Sequence, residues 1–242
     1  MLYNDNDLRK RCVQLVNGPP IPVLGKGDKR FGMTFEKYMN IDVNNRVTSD
    51  IENLDLEIKT KVNKATDLTL FTTRPAYLRT SFAEFFRVYS RKENKDELLY
   101  ADVGKDINSF GLQLAISKNV DDTELIIYDA IRNINCASVN FGHIKHIAKM
   151  KMRNLLVACG DRLSVSGAPH VQFHTVHIYE NLFLTNNKLQ DMFLNGKIVY
   201  SFRQRKRDGE FKDHGSAFRL TDPKYLEEFY SSHEYISKNG TA

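Results

Sequence analysis

Apolar residues recur along this chain with two different periods, which together predict a mixture of helices and strands. Leu8, Cys12, Leu15 and Val16 are spaced as on one side of a helix, whereas apolar and polar residues alternate through residues 56–62. By these two criteria we predict helices at about 5–16, 31–41, 81–89, 142–159, 188–194 and 223–230, and strands at 56–62, 68–73, 98–102, 112–117, 124–129, 171–179 and 198–205. An interspersed order of this kind is typical of the α/β class.

The strand at 56–62 carries the most informative polar residues. Because side chains alternate along a strand, Glu57 and Lys59 lie on the face opposite Leu56 and Ile58. If the preceding turn brings Asp50 beside them, two carboxylates can hold a hard divalent cation, and a lysine lies within reach of its water or of a phosphate. We expect residues 68–73 to pair antiparallel with this strand. Asp55 is the alternative to Asp50, and a salt-bridged surface strand is the alternative to an active site.

Composition indicates one ordinary globular domain spanning residues 1–242. Hydrophobic residues make up 41% and charged residues 27% of the 242 positions. The chain has no apolar run near the length of a membrane helix and no signal-peptide pattern, so we expect neither membrane insertion nor export. Cys12, Cys136 and Cys159 lack close pairwise spacing, which favours reduced thiols in the cytoplasm over disulfides or a zinc site.

The cations are clustered, although the net charge is only +5. Residues 26–30 contain Lys26, Lys29 and Arg30, and we interpret this loop as a phosphate-binding segment, since clustered cations displace counterions from nucleic acid. A solvated surface loop is the alternative.

A second cluster alternates along the strand predicted near residue 200. Arg203, Arg205 and Arg207 would share one face of that strand, and arginine is the side chain that most often reads guanine in the major groove. His214, after the following turn, is a candidate base-reading donor. An exposed charged hairpin without function is the alternative.

Taken in order, these residues resemble a known enzyme family. Glu36 in a short helix, Asp50 after a polar loop and then Glu57-Ile58-Lys59 are separated by intervals of 14 and 7 residues, as in the MutH mismatch-repair endonuclease. The segment Asp213-His214-Gly215-Ser216-Ala217-Phe218-Arg219 is similar to the recognition region of the related monomeric restriction endonucleases of the MvaI/BcnI type.

The resemblance implies a restriction-endonuclease-like fold of the PD-(D/E)XK superfamily, with a mixed sheet flanked by helices and two lobes around a DNA cleft. A catalytic lobe would span about 1–130 and a recognition lobe about 131–230. It further implies a monomeric, Mg²⁺-dependent endonuclease, active also with Mn²⁺, that cleaves double-stranded DNA at a short site to 5′-phosphate and 3′-hydroxyl ends. The predicted catalytic set is Glu36, Asp50, Glu57 and Lys59, with the metal held by Asp50, Glu57 and the carbonyl of Ile58.

Three points remain open at this stage. MutH has a further active-site lysine, for which Arg79, Arg87, Arg91 and Lys92 are candidates. A MutH-like nickase is the nearest alternative function. A DNA-binding module with an inert acidic site is the alternative from a different class.

Overall fold

A computed structural model describes residues 4–25, 27, 30–41, 48–63, 65–118, 123–238 and 240–241. The chain forms two compact units. The first comprises Met1–Thr66, Ala148–Phe183 and Leu226–Ala242, and the second comprises Asp67–Ile147 and Leu184–Tyr225. These units are defined by compactness, so the predicted division into catalytic and recognition lobes near residue 130 stays a prediction.

Five helices and sixteen strands are formed by the described residues. The helices are α1 (Asp5–Asn17), α2 (Arg30–Tyr38), α3 (Phe82–Tyr89), α4 (Phe141–Lys151) and α5 (Asn186–Leu194). The strands are β1 (Ile21–Pro22), β2 (Leu56–Val62), β3 (Leu68–Phe71), β4 (Ala76–Tyr77), β5 (Arg91–Glu93), β6 (Asp96–Val103), β7 (Leu112–Lys118), β8 (Thr123–Asp129), β9 (Ile134–Asn140), β10 (Asn154–Val165), β11 (Ala168–Leu182), β12 (Ile198–Arg207), β13 (Glu210–Asp213), β14 (Ala217–Leu220), β15 (Tyr230–Ser237) and β16 (Gly240–Thr241).

The first unit is built on one sheet in the order β16-β15-β11-β10-β2, with β1 paired to β11. Only the β10–β2 pair is parallel among the described strands of this sheet. The predicted apolar face of α1 is buried in a core that also holds Leu56 and Ile58 of β2 and Phe35 of α2. The predicted alternation of β2 is therefore confirmed, and its even-numbered side chains anchor the strand that carries Glu57 and Lys59.

A bulge between Cys159 and Gly160 interrupts the pairing of β10 with β11. A Cβ atom at Gly160 would lie 2.2 Å from the carbonyl oxygen of Gln172, so the close approach of the two strands requires glycine. Beyond the bulge the two strands continue as a hairpin that turns at Ser166 and Gly167, both with positive φ.

The second unit contains two sheets. One has the order β3-β14-β12-β6-β5 with β13 paired to β12, and the other has the order β4-β9-β8-β7. Aromatic side chains dominate its interior, with Phe85 of α3 5.3 Å from Phe202 and Tyr200 5.2 Å from Phe218, measured between ring centroids. Helix α3 begins as predicted, because the side chain of Ser81 accepts a hydrogen bond from the amide of Glu84.

Three sequence predictions are wrong. Helix α4 ends at Lys151, and the residues predicted to continue it form β10, where Leu155 to Ala158 are all buried. A short run that is apolar on both sides has no period to separate a helix from a central strand. Strand β3 pairs with β14 instead of β2, and the predicted last helix is a short 3₁₀ turn, Pro223–Glu228, followed by β15.

No helix among the described residues is long and apolar enough to cross a membrane.

Candidate active site

A tight turn carries Asp50 back onto strand β2. Ile51 and Leu56 exchange two backbone hydrogen bonds of 3.0 and 3.2 Å around the 3₁₀ turn Glu52–Leu54, and Asp55 adopts a left-handed conformation with φ 48°. As a result, Oδ2 of Asp50 accepts a hydrogen bond of 2.9 Å from the amide of Ile58. The predicted convergence of Asp50 with the Glu57 strand is therefore present.

Asp55, the alternative acid, points elsewhere. Its carboxylate forms an ion pair of 3.0 Å with Arg153, and its side chain is 54% exposed. The geometry favours Asp50 as the acid of the site.

Glu57 is a buried carboxylate on the predicted face of β2, with only 6% of its surface exposed. Its Oε1 forms an ion pair with Nζ of Lys59. Burial raises the pKa of Glu57, and the charge of Asp50 adds to this effect, whereas Lys59 and Lys151 oppose it. Lys59 and Lys151 therefore offset only part of the cost of ionising Glu57 in this buried position.

Glu36 belongs to the same cluster of charges. It lies on α2, which packs closely on β2 at Gly32, where a Cβ atom would be 3.4 Å from Oγ1 of Thr60. The pKa of Glu36 is raised by burial and by the charges of Asp50 and Glu57, and it is lowered by Lys59. Glu36 therefore interacts electrostatically with Asp50, Glu57 and Lys59, which brings the four predicted catalytic residues into one cluster, while their individual roles stay predictions.

Lys151 is a cation near the site that sequence reasoning missed. It is the last residue of α4, and its charge lowers the pKa of Glu57. The candidates named from sequence, Arg79, Arg87, Arg91 and Lys92, all belong to the second unit. The parallel register of β10 with β2, from Asn154 opposite Leu56, places the end of α4 near Glu57, and no local signal in the sequence reveals that pairing.

The candidate metal ligands are oxygen atoms, which is the ligand type that a hard divalent cation binds. Two carboxylates and the carbonyl of Ile58 are the donors that Mg²⁺ prefers, and the raised pKa of Glu57 indicates that a nearby cation would be favourable. In the described part of the chain, no three His, Cys, Asp or Glu side chains are close enough to form a metal site by themselves. A bound cation would therefore share Glu57 with Lys59 and complete its coordination with the backbone, the substrate and water.

The arginines of β12 share one face, as predicted, but they differ in their partners. Arg203 bonds Oδ1 of Asp102 at 2.8 Å, and Arg207 forms a bidentate pair with Asp96 at 2.5 and 2.7 Å. This pair holds the pKa of Asp96 below its usual value. Arg205 forms no hydrogen bond or ion pair in the part of the chain that the structure describes, although its charge contributes to lowering the pKa of Asp96.

His214 lies at the exposed corner between β13 and β14. Its amide donates to the carbonyl oxygen of Arg203 at 2.7 Å. Although burial opposes it, hydrogen bonds from the amides of Ser216 and Gly215 hold the pKa of Asp213 below its usual value and fix the corner, where Gly215 has φ 107°. The backbone thus holds His214 next to the arginine strand.

Lys26 and Lys29 lie outside the described residues. Arg30 is the first residue of α2 and is half-buried, and its Nε is buried without a hydrogen-bond partner among the described residues.

Comparisons with known proteins show similarity to restriction endonucleases. The family model of the MvaI/BcnI restriction endonuclease family matches residues 11–230. A solved structure described as a complex of the restriction endonuclease MvaI with its cognate DNA substrate has a TM-score of 0.77 and 23% identity, covering 97% of this chain and 99% of that chain. MvaI in the absence of DNA gives a TM-score of 0.50 and 20% identity, with 97% and 98% coverage.

A search of curated proteins found no match. The predicted fold class is confirmed by the structural likeness. The chain therefore belongs to the MvaI/BcnI restriction endonuclease family and is a type II site-specific deoxyribonuclease.

Proposed function

We propose that the protein uses Mg²⁺, with Mn²⁺ as a substitute, to hydrolyse both strands of a short specific site in double-stranded DNA, leaving 5′-phosphate and 3′-hydroxyl ends. The observation that carries this proposal is the convergence of Glu36, Asp50, Glu57 and Lys59 at β2. Family membership supports the endonuclease activity, and the similar MvaI structure contains a cognate DNA substrate.

Asp50, Glu57 and the carbonyl of Ile58 would hold the cation. When bound there, Mg²⁺ supplies neutralisation of phosphate charge and lowers the pKa of water. The protein's own contribution is positional. The amide of Ile58 fixes Asp50, and the surrounding core fixes the strand that carries Glu57.

Lys59 is the residue that we propose contacts the attacking water and the scissile phosphate. Its ammonium group pairs with Glu57 and is half-exposed at the site, so it can orient the attacking water and stabilise negative charge as it develops on the phosphate. Glu36 and Lys151 would act by positioning, because Glu36 lies in the field of Asp50, Glu57 and Lys59, and the charge of Lys151 lowers the pKa of Glu57.

Recognition is assigned to the second unit. Arg205 would contact a base directly, whereas Arg203 and Arg207 would first have to exchange Asp102 and Asp96 for DNA. His214 would read a base from the corner of the same hairpin. Lys26, Lys29 and Arg30 would contact phosphates without reading sequence.

A plasmid digest tests this function. The purified protein, with Mg²⁺ or with EDTA, is incubated with a sequenced supercoiled plasmid, and the ends of the products are mapped by sequencing. We expect linear product at one short site only with metal, and none from Asp50→Ala. Nicks that never become double-strand breaks would contradict the proposal, as would DNA binding without cleavage in any divalent metal.

We also propose a cytoplasmic location. Cys12 and Cys136 are buried free thiols and Cys159 is a half-buried one, as expected for a chain that folds under reducing conditions.

A further inference from the structure

The tip of the β10–β11 hairpin forms a cavity with the start of α2. Its volume is about 340 Å³, and its lining includes Arg30, Arg162, Ser164 and His170. No carboxylate lines this cavity among the described residues. Two guanidinium groups and a hydroxyl therefore line this cavity, with no carboxylate of the described residues among its lining to neutralise their charge.

The pairing register explains how the two arginines come together. Arg162 lies opposite Val171, so their side chains project from the same face of the hairpin. Because Ala158 precedes Arg162 by an even number of residues on β10, this face is also the one that carries Ala158 in the core. Val171 and Phe173 lie in the core on that face, and Phe173 contacts Phe31 of α2 at a ring-centroid distance of 5.0 Å. The face of the hairpin that carries Arg162 is consequently the face against which α2 begins with Arg30.

Arg30 itself is incompletely satisfied. Its Nε is buried and has no hydrogen-bond partner among the described residues. Buried polar groups of this kind are rare in native structures, so the guanidinium of Arg30 has hydrogen-bonding capacity that the described residues do not use. The ligand that satisfies two arginines at once is an anion with several oxygens, which guanidinium groups bind with paired hydrogen bonds.

We propose that Arg30, Arg162 and Ser164 form a phosphate-binding pocket separate from the catalytic carboxylates. Its expected occupant is a phosphate of the DNA backbone, and a free phosphate ion has the same chemistry. This inference rests on the proposed function only for the DNA occupant. The ring Nδ1 of His170 donates to the carbonyl of Ala168 at 2.9 Å, so this histidine shapes the wall of the pocket without being required as a ligand.

Arg162→Ala tests the pocket in the full-length protein, because this exposed side chain is not needed for the core. Lys10→Ala is the matched control, since it removes one exposed positive charge from α1 of the same unit. Binding of cognate and unrelated duplexes is measured by anisotropy in Ca²⁺ at several salt concentrations. We expect Arg162→Ala to lower the affinity for both duplexes about tenfold and to reduce the slope of log affinity against log salt concentration by about 0.9. We expect Lys10→Ala to change neither quantity.

Thermal unfolding identifies the occupant. Inorganic phosphate, compared with chloride at equal ionic strength, should raise the Tm of the wild type and of Lys10→Ala but not of Arg162→Ala if the pocket takes the free ion. If Arg162→Ala abolishes the Tm increase with phosphate but leaves DNA binding unchanged, the pocket binds free anions. If the variant loses both the Tm increase and DNA affinity, the pocket binds free phosphate and the phosphates of DNA.

If Arg162→Ala matches Lys10→Ala in both measurements, there is no phosphate pocket. Metal-dependent cleavage by the wild type is scored separately, so failure of this inference is distinguishable from failure of the proposed function.

Discussion

At the scale of single residues, the ionised form of Glu57 is unfavourable in the folded protein. Glu57 is buried beside Asp50 and has a raised pKa, so its ionisation is harder in the folded protein than in the unfolded chain. The stability contributed by neutral Glu57 is complete below the unfolded pKa near 4.3 and is lost as pH rises through the raised folded pKa. We therefore expect the ionised carboxylate of Glu57 to destabilise the metal-free protein at neutral pH.

Glu57→Gln should accordingly raise the Tm of the metal-free protein at pH 7 and leave it little changed at pH 4. If Glu57 holds Mg²⁺ as proposed, Mg²⁺ should stabilise the wild type and have little effect on Glu57→Gln. Calorimetry in EDTA and in Mg²⁺ at both pH values checks this reversal. A variant less stable than the wild type in EDTA at pH 7 would show that the Lys59 ion pair outweighs the cost of burial.

Lys59→Ala should reduce the single-turnover cleavage rate about 100-fold or more, because in the proposed mechanism it removes the positive charge that stabilises the reacting phosphate. Specific DNA binding in Ca²⁺ should remain within a few-fold of wild type, since Lys59 does not read bases. Quenched-flow cleavage and anisotropy measure the two effects. Cleavage at close to the wild-type rate would remove Lys59 from the mechanism.

At the scale of elements, the bulge in the pairing of β10 with β11 depends on one glycine. Gly160→Ala would place a Cβ atom 2.2 Å from the Gln172 carbonyl oxygen, and we expect the strands to separate at a cost of about 1–3 kcal/mol. Gly32→Ala is the control, because its Cβ atom would find only contacts of 3.4 and 3.9 Å inside a helix, where alanine is favoured. Urea unfolding of both variants tests the difference, and equal stabilities would contradict it.

Strand β12 offers arginines that differ in availability. Arg205→Ala should cost about 1–3 kcal/mol at one base pair and relax discrimination there, since its guanidinium makes no hydrogen bond or ion pair among the described residues that DNA would have to displace. Arg207→Ala should weaken binding less, because the native pair with Asp96 must be broken before DNA is contacted. Anisotropy with singly substituted duplexes compares them. Equal losses on every duplex for Arg203→Ala and Arg205→Ala would identify a phosphate clamp instead.

At the scale of the whole molecule, the described residues contain a single Asp50-Glu57-Lys59 cluster per chain. A monomer with one such site must cut the two strands of its target in separate events. We therefore expect nicked plasmid to accumulate before linear product in a time course on supercoiled DNA, with sedimentation showing a monomer at the assay concentration. A stable dimer, or linear product with no nicked precursor, would contradict this expectation.

The sequence by itself determined the features that depend on neighbouring residues. The alternation around Leu56 and Ile58 placed Glu57 and Lys59 on one face, and Ser81 marked the start of α3 through a bond to an amide three residues away. The arginines of β12 share a face for the same local reason. Side-chain period and capping act over a few residues, so they can be read directly from the chain.

Only the tertiary structure decided which distant segments meet. It made residues 154–165 a central strand parallel to β2, and thereby brought Lys151 into the electrostatic surroundings of Glu57. It also bonded Arg203 and Arg207 to carboxylates of β6 and left Arg205 without a hydrogen bond or ion pair among the described residues. Such pairings are determined by burial and strand register across the whole fold, and short apolar runs carry no local signal that specifies them.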